Sequence, residues 1–169
     1  MGPAHLAIGL SAKPAAPRVS LLVLLVASEA LDLLSFLFIT LGLEDAGISQ
    51  TDFNQGVQVI VPGSIPWSHG LFMAVVWSLL FSAIAFLFYK DRGISIIIGL
   101  VVFSHWLLDF IVHPADLPLL FEGSPTVGLG LWTSGPGFIF SILLEILLLA
   151  GGITVYLLAR KRMPASQLI

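Results

Sequence analysis

The stretch Ile94-Ser95-Ile96-Ile97-Ile98-Gly99-Leu100-Val101-Val102-Phe103-Ser104-His105-Trp106-Leu107-Leu108-Asp109-Phe110-Ile111-Val112-His113-Pro114 decides the fold. From Ile94 to Val112 it is long and apolar enough to cross a bilayer as a helix, which takes about 20 residues. Yet it carries His105 and Asp109 at membrane depth, where ionisable groups are costly and usually functional. His105, Asp109 and His113 follow at i, i+4 and i+8, which puts them on one helix face. His105 and His113 are then about 12 Å apart along the axis. A straight helix cannot bring all three to one ion. Either His113 serves a second ion, with Asp109 bridging the two as in phosphate-ester hydrolases, or Pro114 ends the helix and the chain bends back.

The rest of the chain has the same character. Of its 169 residues 57% are hydrophobic and 10% charged, against about 25% charged in a soluble domain. The class is therefore an integral membrane protein. Cysteine is absent, so disulfides and thiolate metal sites are excluded. Any metal must be held by imidazole and carboxylate, a donor set that suits Zn, Mn, Fe or Ni better than Cu(I). The net charge is −3 and the basic residues lie outside the apolar segments, so no nucleic-acid partner is expected.

The pattern predicts a single all-α membrane domain with four transmembrane helices, at about Val19–Leu43, Leu71–Tyr89, Ile94–Val112 and Phe138–Leu158. Lys90-Asp91-Arg92-Gly93 forms the turn between the second and third. Gly135-Pro136-Gly137 opens the fourth, and Gly151-Gly152 within it permits close packing. Pro3–Ser11 is apolar but too short to span, and is read as an interfacial or re-entrant segment. No basic region precedes it, so a cleaved signal peptide fits poorly.

Basic residues set the orientation. Lys13, Arg18, Lys90, Arg92, Arg160, Lys161 and Arg162 all fall in the N-terminal connector, the second–third turn or the C-terminal tail. The two longer loops, 44–70 and 113–135, contain no Lys or Arg. The positive-inside rule places both termini in the cytoplasm and the longer loops outside.

Glu29, Asp32, Asp109 and Glu145 lie within the predicted spans, where no Lys or Arg can pair with them. Such acids are protonated, or line a wet cavity, or bind a cation that the chain does not supply. By helical rise, His105 lies about 10 Å and Asp109 about 5 Å below the outer end of the third helix. Asp32 lies about 16 Å below Leu43, and Glu145 about 14 Å from Pro136. His69 stands near the outer start of the second helix. These groups gather in the outer half of the membrane. The plainer alternatives are a hydrogen-bonded His105–Asp109 pair, structural acids bonded to Ser35 or Ser141, and a capping role for His113. Asp116 and Glu122 read as solvated loop acids, and Trp67, Trp106 and Trp132 as an interfacial belt.

These residues resemble the membrane-bound metal-dependent hydrolase family, whose bacterial members include a LexA-binding inner-membrane protein. The resemblance rests on Ser68-His69-Gly70-Leu71, on Ser104-His105 with Asp109, and on Leu117-Pro118-Leu119. Asp32 falls where the family carries an Asp late in its first helical region, and His5 is similar to an N-terminal family His. Gly70 departs from the pattern, since many relatives have Ser there. The family is distantly similar to zinc-dependent phospholipase C. The resemblance implies Asp32, His69, His105, Asp109 and His113 as ligands of a divalent metal, zinc first and Mn or Fe next, with Glu145 as a further ligand or general base. It implies a bacterial inner-membrane location. His5 falls on the cytoplasmic side of the predicted topology and joins the site only if Pro3–Ser11 re-enters the bilayer.

The expected function is metal-dependent hydrolysis at an outward-facing site, on a lipid or phosphate ester, with membrane lipids as surroundings. Two other classes fit the same residues. One is a proton or divalent-cation transporter or channel subunit, which with four spans requires a homo-oligomer. The other is a non-catalytic adaptor with a structural metal.

Overall fold

The computed structural model describes residues 2–52, 57–133, 135–162 and 164. It is mostly helical. The helices are α1 (Gly2–Ala12), α2 (Leu21–Ser28), α3 (Ala30–Thr40), α4 (Pro66–His69), α5 (Leu71–Tyr89), α6 (Arg92–Val112) and α7 (Gly135–Arg160). Among the described residues, α5, α6 and α7 are each long and apolar enough to cross a membrane. Their bounds follow the expected segments closely.

The two longer loops are more ordered than an all-α reading expects. Strands β1 (Asp45–Asp52) and β2 (Val57–Ser64) form an antiparallel hairpin that pairs Asp45 with Ser64. Strands β3 (Leu117–Pro118) and β4 (Thr126–Val127) close a smaller one.

α6 is the central element. Its start is set by Asp91, whose carboxylate accepts from the Ile94 N–H at 3.1 Å, an N-cap on an otherwise apolar run. It stops at His113 because Pro114 disfavours helical backbone in the preceding residue. Its buried face includes Ile98, Val102, His105, Trp106 and Asp109. Around it Leu24, Leu31, Ala74 and Leu117 complete the core. The outward surfaces of the other helices remain apolar and exposed, as at Phe36, Leu79, Phe88, Ile146 and Leu147. That is the inverse of a soluble fold and suits lipid as solvent.

The first predicted span, 19–43, is not one straight helix. It breaks at Glu29, where the backbone leaves helical geometry (φ −100°, ψ 8°), and α2 and α3 meet at a bend of 58°. A helix end leaves carbonyls without intrahelical partners. Here the Ser28 carbonyl takes its hydrogen bond from the His105 ring, at 2.8 Å.

The N-terminal segment is an 11-residue helix packed into the fold between α2 and α7. Glycines permit this. A Cβ on Gly9 would lie 2.8 Å from the Leu24 carbonyl oxygen, and one on Gly152 would lie 2.6 Å from that of Ala7. α1 thus touches a neighbour's backbone at each position, the close approach that small residues allow between membrane helices. Gly151, the other half of the pair, has open space beside it. Behind α1 the chain is tied down by polar contacts. Buried Lys13 donates through Nζ to the carbonyls of Val19 at 2.6 Å and Pro17 at 3.2 Å. Arg18 pairs with Asp91, so the basic connector and the α5–α6 turn share one end of the bundle.

Candidate metal centre

Four elements converge on one cluster. α1 supplies His5, α3 Asp32, α4 His69, and α6 both His105 and Asp109. The His69 Nε2 lies 3.3 Å from Asp32 Oδ1 and 3.5 Å from Asp109 Oδ2. The His105 Nε2 lies 3.4 Å from Asp32 Oδ1 and 3.2 Å from Asp109 Oδ2. His5 Nε2 approaches the other Asp109 oxygen, Oδ1, at 3.2 Å. The His5 ring lies flat on that of His105, with centroids 3.6 Å apart and planes 6° from parallel. The side chains of His5, His105 and Asp109 are buried, while that of Asp32 is 52% exposed. The cluster is closed at Asp109 and open at Asp32.

The surrounding hydrogen bonds fix which ring nitrogen carries hydrogen. The His105 Nδ1 faces the Ser28 carbonyl, which can only accept, so Nδ1 is the N–H. His69 Nδ1 lies 2.8 Å from Ser68 Oγ, and that hydroxyl lies 2.8 Å from Glu44 Oε2. The Ser68 hydroxyl donates to Glu44 Oε2, so its oxygen is left to accept from His69 Nδ1–H. Both imidazoles therefore point Nε2 at the same two carboxylates. Although His105 Nε2 is within 3.4 Å of both Asp32 and Asp109, it has no partner with hydrogen-bond geometry among the described residues. In neutral imidazoles these contacts set a lone pair against a carboxylate oxygen, a repulsion that either a proton on Nε2 or an intervening cation removes.

The donor set fits a metal. His5, Asp32 and His105 form one group of ligand atoms lying within 4.8 Å of one another, and His69, His105 and Asp109 form a second. Edges of 3.2–3.5 Å link the Nε2 atoms of His69 and His105 to the two carboxylates. A tetrahedral ion with arms of 2.0–2.1 Å spans edges of about 3.4 Å. These residues can hold a metal ion. Carbonyl and hydroxyl–carboxylate contacts to the far ring nitrogens are the usual support for metal-ligating His.

Several further residues brace this arrangement in ways the sequence did not announce. Glu44, expected only as a loop acid, is buried. Its Oε1 accepts from the backbone N–H groups of Trp67 at 2.8 Å and Ser68 at 2.7 Å. It thereby caps the short helix that carries His69. Trp106 belongs to the core rather than to an interfacial belt, and its Nε1 donates to the His69 carbonyl at 2.8 Å. Trp67 and Trp132 are exposed. The Leu119 carbonyl accepts from the Phe72 N–H at 3.0 Å, at the first turn of α5. Gly70 has no room for a side chain, since a Cβ would lie 2.4 Å from the Pro66 carbonyl oxygen and 2.8 Å from that of Leu120. The Leu117-Pro118-Leu119 element and Gly70 together fix where α4 hands over to α5.

Of the expected ligands, Asp32, His69, His105 and Asp109 come together, and His113 does not. It caps α6, its Nδ1 lies 3.2 Å from Asp116 Oδ1, and its ring tilts against Trp132 at 4.9 Å. α6 runs straight to its end, so His113 stays two turns from His105, and Asp116 is its partner rather than a solvated acid. Glu145 is half-buried on α7 and shares none of the contacts that define the cluster, because α7 packs mainly on α1. Ser141, the proposed bonding partner of Glu145, instead donates to the Phe138 carbonyl at 2.7 Å. His5 is the addition: α1 packs inside the bundle, which carries this residue to the level of His105. The N-terminal His of the family pattern was the one signal that pointed to it.

Comparison with protein-family models, with curated proteins and with solved structures finds no match.

Proposed function

We propose that this chain is a membrane-embedded, metal-dependent hydrolase whose divalent cation is held by Asp32, His69, His105 and Asp109. The observation that carries this is the pair of imidazoles with Nδ1 committed to acceptors and Nε2 turned on the same two carboxylates. Charge supports it: neutral imidazoles and two carboxylates are balanced by one dication, which removes the cost of unpaired charge in a low-dielectric site. Zinc suits this donor set first, Mn or Fe next. A bound divalent ion lowers the pKa of water and polarises an ester oxygen.

The protein's own groups supply position and access. Ser28, Ser68 and Glu44 hold the imidazoles in orientation. The exposed carboxylate of Asp32 marks the side from which a substrate arrives, the open position that separates catalytic from structural metal sites. We read α2 and α3 as one broken span, giving four spans in a bacterial inner membrane with both termini cytoplasmic. The Arg18–Asp91 pair supports this, since it gathers two of the basic regions at one end. On that reading the cluster opens toward the outer leaflet, and the substrate is a lipid or another phosphate ester. The resemblance to membrane-bound metal-dependent hydrolases points the same way.

The test is metal content of the purified protein, followed by turnover of bis(p-nitrophenyl) phosphate. His105→Ala and Asp109→Asn should each abolish both. Metal content unchanged by the two substitutions would overturn the reading. Glu29, with a buried Oε1 lacking a hydrogen-bond partner among the described residues at the helix break, favours cation transport as the second reading. Metal flux into liposomes without ester turnover would select it.

A further inference from the structure

We infer that the cluster takes two divalent cations, with Asp109 bridging them and His5 serving the second. The inference rests on the metal reading above and adds a position to it. The two oxygens of Asp109 address different partners: Oδ2 faces His69 and His105, while Oδ1 faces His5. A carboxylate divided in this way is the usual bridge of a two-metal centre.

The stacked imidazoles give the spacing. His5 and His105 lie parallel with centroids 3.6 Å apart. Two parallel rings each donating to their own ion set those ions at a similar separation. Paired catalytic metals sit about 3.5–4 Å apart. The ligand atoms also divide into two overlapping groups, His5 with Asp32 and His105, and His69 with His105 and Asp109.

A third carboxylate is at hand. Glu29 stands at the break between α2 and α3, next to the Ser28 carbonyl that orients His105. It is close enough to His105, Asp32 and Asp109 to interact with them electrostatically. Its Oε1 is buried without a hydrogen-bond partner among the described residues. With Asp32 and Asp109 it offsets most of the charge that two dications bring.

The two positions differ in how firmly they are built. His69 and His105 have their Nδ1 atoms anchored by Ser68 and Ser28. The Nδ1 of His5 is buried with no partner among the described residues. The second cation is therefore the more weakly held, and His5 gains its fixed orientation from it.

Metal stoichiometry decides the matter. The full chain is purified in detergent, stripped with chelator, reloaded with Zn²⁺, dialysed and assayed for metal per chain. Two equivalents are expected, with one lost in His5→Ala and none in His113→Ala. One equivalent in the unaltered protein, or two retained in His5→Ala, overturns the second position while leaving the first intact. No bound metal at all overturns the site reading itself. Because His5→Ala removes a core side chain, Mn²⁺ loading of the unaltered protein gives an independent answer. Electron paramagnetic resonance should then show exchange coupling between neighbouring ions, and the spectrum of isolated ions alone would refute the inference.

Discussion

His105 and His113 are the same residue type, eight positions apart on and just beyond one helix, and they live in opposite surroundings. His105 is buried, with one ring nitrogen on a main-chain carbonyl and the other facing carboxylates from two helices. His113 is partly exposed and faces an acid three residues along its own loop. Spacing along the chain made them equivalent. What separates them is convergence. α1, α3 and α4 all reach the turn of α6 that carries His105 and Asp109, whereas the end of α6 is met by the loop that follows it.

That contrast can be broken outright. Asp109→Asn, at the centre of the buried contacts, is expected to remove all bound metal and with it the stability that metal binding adds to the folded state. His113→Ala should leave metal content unchanged and shift the melting temperature only slightly. Equal losses in the two variants, read by metal analysis and thermal unfolding, would refute the distinction.

The next effect lies in the support of His69. Glu44→Gln keeps the size of the side chain but weakens its hold on Ser68. We expect metal affinity to fall about 10–100-fold, the usual cost of losing an outer partner of a ligating His, as measured by competition with a chromogenic chelator. An unchanged affinity would mean that Glu44 serves helix α4 alone.

Packing comes third. Gly152→Leu should force α1 away from α7, because even a Cβ there lies 2.6 Å from the Ala7 carbonyl oxygen. The cost is about 1–3 kcal/mol, as for other overpacked sites, and it should be accompanied by loss of whatever metal depends on His5. Gly151→Leu, next to it but facing open space, should do neither. The pair of variants, compared by thermal unfolding and metal content, sharpens the difference between a helix that is merely present and one that delivers a ligand.

The smallest effect is at the opposite end of the bundle. The Ile94 N–H and then the Arg18 guanidinium hold the Asp91 carboxyl below its ordinary value. A carboxyl lowered in the folded state contributes stability above its unfolded value and loses it as pH falls through the folded one. Asp91→Asn should flatten that part of the acid limb in a melting-temperature scan from neutral pH downward. The pair is exposed, so the effect is slight and fades with salt.

The sequence was informative where one segment contained the signal. The length and apolarity of α5, α6 and α7 gave those helices, and the unpaired acids with His69 and His105 gave the heart of the site. It was uninformative where the decision lay between segments. Nothing local in 19–43 distinguishes a straight helix from one broken at Glu29, because the break is stabilised by His105 more than 70 residues away. Pro3–Ser11 is too short to span, yet its burial depends on close backbone contacts at its own Gly9 with α2 and at Gly152 of α7. Glu44 looked like any loop acid until the chain returned at Trp67 and Ser68.

The contacts of α1 also constrain descent. Gly9 and Gly152 matter to the cluster only through the helix that carries His5, and they lie far apart in sequence and outside every motif. Chains that share this architecture should therefore lose or retain the three residues together: a lineage that gives up the histidine frees both glycines to drift, and one that keeps it should tolerate nothing larger than glycine at either position.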